Sequence, residues 1–143
     1  MTLDEERIFE KIAYIQGQVL AIQSLLHEKS KEEIIANQWF IRGLKYSLQT
    51  SIEAMIDIAY HVSAKHIKAA PTDGREAIAI LTKNGILADE EQELYSVMIG
   101  FRNRVVHGYQ TISNERVYEI SSADLDVFST FIRQIRSFLK KSQ

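Results

Sequence analysis

The chain has 143 residues, of which 45% are hydrophobic and 25% charged, so we expect one globular domain spanning residues 1–143. It has no cysteine, which excludes disulfides, thiolate zinc sites and a cysteine nucleophile. Its formal net charge of −2 argues against nucleic-acid binding by bulk charge, so any such binding must depend on a local patch.

Hydrophobic periodicity predicts two long helices in the first half of the chain. The first has apolar residues three or four positions apart, at Ile8, Ile12, Ile15, Val19, Ile22 and Leu26. The second is predicted from Lys31 to Lys68, with an apolar stripe at Ile41, Leu44, Leu48, Ile52, Met55, Ala59 and Val62. Pro71 and Gly74 then break the helical pattern.

Two further helices are predicted between residues 73 and 108. Asp73, with Glu76 three residues later, is typical of a helix start, and Asn84-Gly85 of a helix end. A fourth helix starts near Asp89 and ends before Gly108. Its predicted inward residues are Leu94, Val97, Met98, Phe101 and Val105.

The C-terminal part is predicted to contain one irregular stretch and one helix. Residues 110–120 are polar and show no clear period. Ser121 or Ser122 is expected to cap the last helix. The apolar residues of that helix are Leu125, Phe128, Ile132, Ile135 and Leu139.

No segment alternates with a period of two, so no strand is expected. The predicted fold class is all-α, an up-and-down bundle of four main helices plus one short helix. The seam-like first stripe and the long second helix leave apolar surface that a twofold-related copy can cover, which favours a homodimer. Trp39 and Phe40, at the start of the long helix, are expected to be core or dimer contacts rather than base-stacking platforms, although exposed aromatic residues can stack bases.

The sequence also bears on location and metal binding. The N-terminal stretch has no basic start followed by an apolar run, and no segment approaches the roughly 20 apolar residues of a membrane span. We therefore expect a cytoplasmic protein without membrane association. The histidines show no metal-ligand spacing, so no metal site is expected; they are His27, His61, His66 and His107.

Polar side chains are concentrated in the segment GFRNRVVHGYQ, residues 100–110. On a helix, Asn103 and His107 lie one turn and about 40° apart and can touch, and the long side chain of Arg102 can reach them. A histidine can exchange a proton with a ribose 2′-hydroxyl or a leaving oxygen, and an arginine can hold a phosphate with two hydrogen bonds. The same residues also complement the dipole of a helix C-terminus, so the spacing alone leaves a purely structural role open.

The string Arg102-Asn103-x-x-x-His107-x-Tyr109 resembles the R-x4-H-x-Y motif of the HepT-like branch of the HEPN superfamily. The resemblance continues outside the motif and is most convincing over residues 38–136. The segments that carry it are LQTSIEAMIDIA at 48–59, REA at 75–77, NGIL at 84–87 and VYEI at 117–120.

The resemblance implies a function. HepT-like proteins are homodimeric toxins of type II/VII-like toxin–antitoxin pairs and cut RNA without a metal or cofactor, at a cleft between protomers. Arg102 and His107 would be catalytic, supported by Asn103, and no DNA substrate is expected. The partner would be a minimal nucleotidyltransferase of the MNT type, which adenylylates the motif tyrosine, here Tyr109. The alternative is a non-catalytic HEPN module that binds a nucleotide or a nucleotidyltransferase.

Two acidic residues are candidate supporting residues. Glu53 and Asp57 lie one turn apart on the second helix and can face the cleft, although such a pair is also typical of a solvated helix face. Asp57 stands among apolar residues, so we expect it to be partly buried and paired with an arginine. Arg102 is the arginine proposed for that pairing.

Overall fold

The computed structural model describes residues 3–108 and 111–142, and its regular elements are all helical. Four long helices dominate, which confirms the predicted all-α fold with four main helices. They are α1 (Glu5–Glu28), α3 (Gln38–Val62), α5 (Gln92–His107) and α7 (Asp126–Lys141). Three shorter helices lie between them: α2 (Lys31–Ala36), α4 (Gly74–Lys83) and α6 (Asn114–Ala123).

The predicted single helix from Lys31 to Lys68 is interrupted once, at Asn37. The side chain of Asn37 accepts hydrogen bonds from the backbone N–H groups of Trp39 and Phe40, so a new helix begins there and α2 is separated from α3. At the C-terminal end, residues 63–67 continue α3 as a π-helical turn, which ends at Lys68 as predicted. The φ of Lys68 is +65°.

The C-terminal boundaries also differ from the prediction. Residues 114–123 form α6, which is capped by the Ser113 hydroxyl, whereas 110–120 were expected to be irregular. Neither Ser121 nor Ser122 caps the last helix, because both lie within α6. Their hydroxyls donate to the carbonyls of Val117 and Glu119. The predicted helix start at Asp73 and the predicted helix ends at Gly85 and Gly108 are confirmed.

Helix α3 lies at the centre of the fold and packs against α1, α2, α4, α5 and α6. Every residue of its predicted apolar stripe is buried. Val97 on α5 does not point inward as expected; it is 39% exposed, because it lies about 100° round the helix from the buried Met98. Phe40 packs against the core, but Trp39 is 75% exposed and is not a core residue.

Both helices that flank the outer face of α3 run antiparallel to it. On the α1 side, Asp4 bonds to His61 and Lys11 bonds to Asp57. Later residues of α1 therefore contact earlier residues of α3, as antiparallel packing requires. On the α5 side, Glu53 bonds to Arg102. Further along α3, Ile56 borders Gly74, and the adjacent Arg75 bonds to Ser96, earlier on α5.

Within residues 3–108 and 111–142, none of the helices is both long and apolar enough to cross a membrane.

His61 provides a test of this packing. Its Nε2 accepts a hydrogen bond of 2.9 Å from the backbone N–H of Asp4, at the start of α1, which requires the neutral imidazole. Partial burial, and after it the nearby charge of Arg7, lowers the pKa of His61. The folded state therefore binds this proton less well than the unfolded state, so the contribution of His61 to stability is present above the unfolded pKa and is lost as the pH falls through the folded pKa.

We expect the free energy of unfolding, measured with urea, to fall between about pH 7.5 and about pH 5.5, and to fall less in His61→Gln. Glutamine keeps an acceptor oxygen but does not titrate in this range. Equal pH dependence in the two proteins would contradict the assigned role of His61.

Candidate functional site

Arg102 on α5 is held by a carboxylate of α3. Its Nε and Nη2 donate to the same oxygen of Glu53, Oε2, at 3.0 and 2.9 Å. Gln49, one turn earlier on α3, donates to that oxygen as well, at 3.3 Å. The side chains of the ion pair are 29% and 32% exposed, so the pair lies half-buried at the edge of the core. This arrangement fixes the direction of the guanidinium.

Asn103 completes the hold on Arg102. Its Oδ1 accepts a hydrogen bond of 3.1 Å from Nη1 of Arg102. Within the described part of the chain, these bonds use three of the five N–H groups of the guanidinium. One N–H on each terminal nitrogen remains to bind an anion such as a phosphate.

His107 is the last residue of α5 and its side chain is exposed. The helix ends there because Gly108 takes a left-handed conformation, with φ +67°, and donates its N–H to the carbonyl of Arg104. His107 is five positions after Arg102, a rise of about 7–8 Å along the helix axis. One helix therefore carries both a phosphate-binding group and a proton-transferring group, which point about 140° apart around its axis.

The predicted pairing of Asp57 with Arg102 is wrong. Asp57 binds Nζ of Lys11 on α1 at 3.0 Å, and its side chain is 48% exposed. The antiparallel packing of α3 and α5 brings Glu53, not Asp57, level with Arg102. Asp57 nevertheless lines the cleft beside Arg102 that is described next.

The cleft beside Arg102 has a volume of about 430 Å³. It is lined by Glu53, Ile56, Asp57, Tyr60, Thr72, Asp73, Gly74, Arg75, Ile99, Arg102 and Asn103. The candidate residues Glu53, Arg102 and Asn103 meet there, whereas His107 is not among the residues that line this cleft. Tyr109, the remaining candidate, lies outside the described residues.

Arg75 is a second cation of this cleft that was not predicted from the sequence. Its Nε and Nη2 donate to the hydroxyl and the carbonyl oxygen of Ser96, at 2.9 and 3.1 Å. A Cβ added at Gly100 would lie 2.8 Å from Nη2 of Arg75, so the glycine makes this approach possible. No local pattern marks Arg75, because its position depends on how α4 packs against α5.

In the part of the chain that the structure describes, no group of three or more His, Asp or Glu side chains is placed to hold a metal ion. Metal independence of the chemistry stays a prediction.

Comparison with known proteins identifies what this arrangement resembles. The family described as "Ribonuclease HepT-like" matches residues 15–135. A curated relative from Shewanella oneidensis, "mRNA nuclease HepT", is 28% identical over 132 residues, which are 91% of this chain and 96% of the relative. Another, "tRNA nuclease HepT" from Aphanizomenon flos-aquae, is 34% identical over 92 residues, 64% of this chain and 63% of the relative.

Solved structures agree with the sequence matches. The Shewanella oneidensis HEPN toxin, tri-AMPylated and in complex with an MNT antitoxin, superposes with a TM-score of 0.84 and 27% identity, over 92% of this chain and 97% of that one. The cytosolic protein YutE from Bacillus subtilis, of unknown function, superposes with a TM-score of 0.85 at 17% identity, which shows the fold alone. The predicted HEPN-like fold is confirmed.

A double-mutant cycle tests the geometry of the ion pair. We expect Glu53→Ala and Arg102→Ala to be coupled by about 1 kcal/mol in the free energy of unfolding, because each variant removes the same half-buried pair. Asp57→Ala and Arg102→Ala form the matched control and should be additive within about 0.5 kcal/mol. Coupling in the control cycle alone would show that the assigned partner is wrong.

Proposed function

The chain belongs to the HepT-like family of ribonucleases, and we propose that it is a metal-independent endoribonuclease toxin whose site is formed by Arg102, His107 and Asn103. The observation that supports these roles is the guanidinium held by Glu53 and Asn103 on the helix that ends at His107. A preoriented donor costs little reorganisation when charge develops on a phosphate.

The proposed reaction is an internal transfer within RNA. His107 takes the proton of a ribose 2′-hydroxyl, and the 2′-oxygen attacks the adjacent phosphorus. The bond from phosphorus to the 5′-oxygen breaks, and that oxygen leaves with a proton from an acid. The products are a 2′,3′-cyclic phosphate and a 5′-hydroxyl. Arg102 stabilises the charge that gathers on the phosphate oxygens.

Homodimerisation supplies the acid. Each chain has one histidine in the motif, and one imidazole cannot act as base and acid in the same step. We propose that two copies face each other so that His107 of one protomer serves as base and the partner's His107 as acid. The cleft between protomers then contains both, together with two arginine clamps.

We further propose that the activity is controlled by an MNT-type nucleotidyltransferase antitoxin, the kind of partner bound to the Shewanella HEPN toxin. That toxin is AMPylated, and the corresponding target here would be Tyr109, two residues beyond His107. An adenylyl group adds negative charge and bulk to the motif, which opposes the binding of an RNA phosphate. The proposed location is the cytoplasm, where RNA is the accessible substrate.

Loss of either central residue should abolish cleavage. We expect His107→Ala and Arg102→Ala to lower the rate of RNA cleavage by at least about 100-fold, and the wild-type rate to persist in EDTA. Arg104→Ala is the matched control, since Arg104 is an exposed cation of the same helix. Cleavage is measured on labelled RNA, and growth arrest on expression without the antitoxin.

Two results would oppose this proposal. Unchanged cleavage and toxicity in both variants would remove these residues from the mechanism. Tight binding of the nucleotidyltransferase without any cleavage by the wild-type dimer would favour the non-catalytic binding module.

Glu53 is proposed to position Arg102 rather than to touch RNA. We expect Glu53→Gln to lower cleavage by about tenfold, because a neutral amide holds the guanidinium less firmly. Glu119→Gln is the control, since Glu119 forms an ion pair with Arg116 on α6, away from the cleft. The pH profile of the rate should keep its shape in Glu53→Gln; a shifted profile would mean that Glu53 itself transfers a proton.

A further inference from the structure

The outer face of α3 has an exposed aromatic and cationic surface beyond the ion pair. Trp39 is 75% exposed and Tyr46 is 61% exposed. The guanidinium of Arg42 lies over the Trp39 ring, 5.1 Å from its centroid. These three residues, with Glu53, share the side of the helix opposite the core. Trp39, Arg42 and Tyr46 are called the α3 stripe below.

The N-terminal half of α3 is positively charged, with Arg42 in the α3 stripe and Lys45 about 60° further round the helix. From Asn37 to Ile52 the helix has two cations, Arg42 and Lys45, and no carboxylate, although the whole chain has a net charge of −2. Exposed aromatic rings beside cations are the combination that holds single-stranded nucleic acid, because bases stack on the rings and phosphates meet the charges.

The α3 stripe is continuous with the cleavage site. Because α5 runs antiparallel to α3, residues beyond Arg102 lead toward the N-terminal end of α3. Asn114, at the start of α6, also lies near that end, since its amide donates to the carbonyl of Ile35. Measured along the helix axis from Glu53, Tyr46 lies about 10 Å and Trp39 about 21 Å away, within reach of a few nucleotides.

Gly43 leaves room between the two rings. It is exposed within the helix, between Trp39 and Tyr46 on the same side, and an added Cβ would meet nothing within 4 Å. Packing inside the chain therefore does not require a glycine there. Its absent side chain leaves helix backbone open to a flat group such as a base.

We propose that the α3 stripe binds single-stranded RNA next to the scissile phosphate, with bases stacked on Tyr46 and Trp39 and phosphates against Arg42 and Lys45. The inference rests on the proposed function and gives it a substrate class, because base-paired RNA does not offer its bases to the rings. In a dimer with twofold symmetry, one stripe would extend from each end of the shared cleft.

Trp39 is the single tryptophan of the chain, so its fluorescence reports directly on the α3 stripe. The probe is a single-stranded RNA of about 12 nucleotides with 2′-O-methyl groups, which prevent attack by the 2′-oxygen. We expect saturable quenching by the single strand and little by the same sequence in a duplex. Tyr46→Ala and Arg42→Ala should weaken binding by about tenfold, while Tyr46→Phe should not.

The control variant is Leu20→Ala, since Leu20 is 65% exposed but lies on α1. Unchanged Trp39 fluorescence at saturating RNA would overturn the proposal. The proposal would also be overturned if the Trp39 emission changes when the protein is diluted but does not change when RNA is added. The α3 stripe would then be a contact between two copies of the chain.

Cleavage assays separate the two proposals. If the wild type binds the methylated RNA through the α3 stripe but cleaves no RNA, the proposed nuclease function is wrong and the proposed binding surface is supported. If Tyr46→Ala and Trp39→Ala cleave a single-stranded RNA of about 12 nucleotides with the wild-type KM, the proposed binding surface is wrong and the nuclease function is supported. The expected result is a raised KM on that RNA, with an unchanged rate on a dinucleotide.

Discussion

Helix α3 must keep one face in the core, and this constraint decides where the candidate functional residues lie. Its buried side packs against five other helices. The opposite side is then fixed in direction, because residues on a helix cannot turn independently of one another. Glu53 reaches Arg102 from that side, and Tyr46 and Trp39 follow at whole-turn intervals. The packing that builds the fold thereby also aligns the site with the proposed RNA path.

The ion pair between Glu53 and Arg102 contributes more to orientation than to stability. A partly exposed ion pair is worth about 1 kcal/mol or less, so the fold does not depend on it. Three donors converge on one carboxylate oxygen, two from Arg102 and one from Gln49, and a fourth bond joins Arg102 to Asn103. This network holds the guanidinium at the edge of the cleft, where the remaining N–H groups can meet a phosphate.

The helices that were predicted well have a long apolar stripe and strong end signals. The buried apolar face of α3 and the stop at Gly108 depend on local chemistry and are confirmed. The division at Asn37 was missed because its neighbours also suit a helix, and only the cap shows that a new one begins. Helix α6 was missed because it is short and buries few apolar residues.

The sequence by itself determined the all-α class and the placement of Arg102, Asn103 and His107 on one helix that ends at a glycine, because periodicity and helix stops act over a few residues. Only the tertiary structure decided that Glu53 rather than Asp57 meets Arg102, and that Arg75 joins the cleft beside Gly100. The two carboxylates are one turn apart and chemically alike, so the choice between them depends on the register of α3 against α5. That register is set by packing between segments far apart in the chain, which no local pattern records.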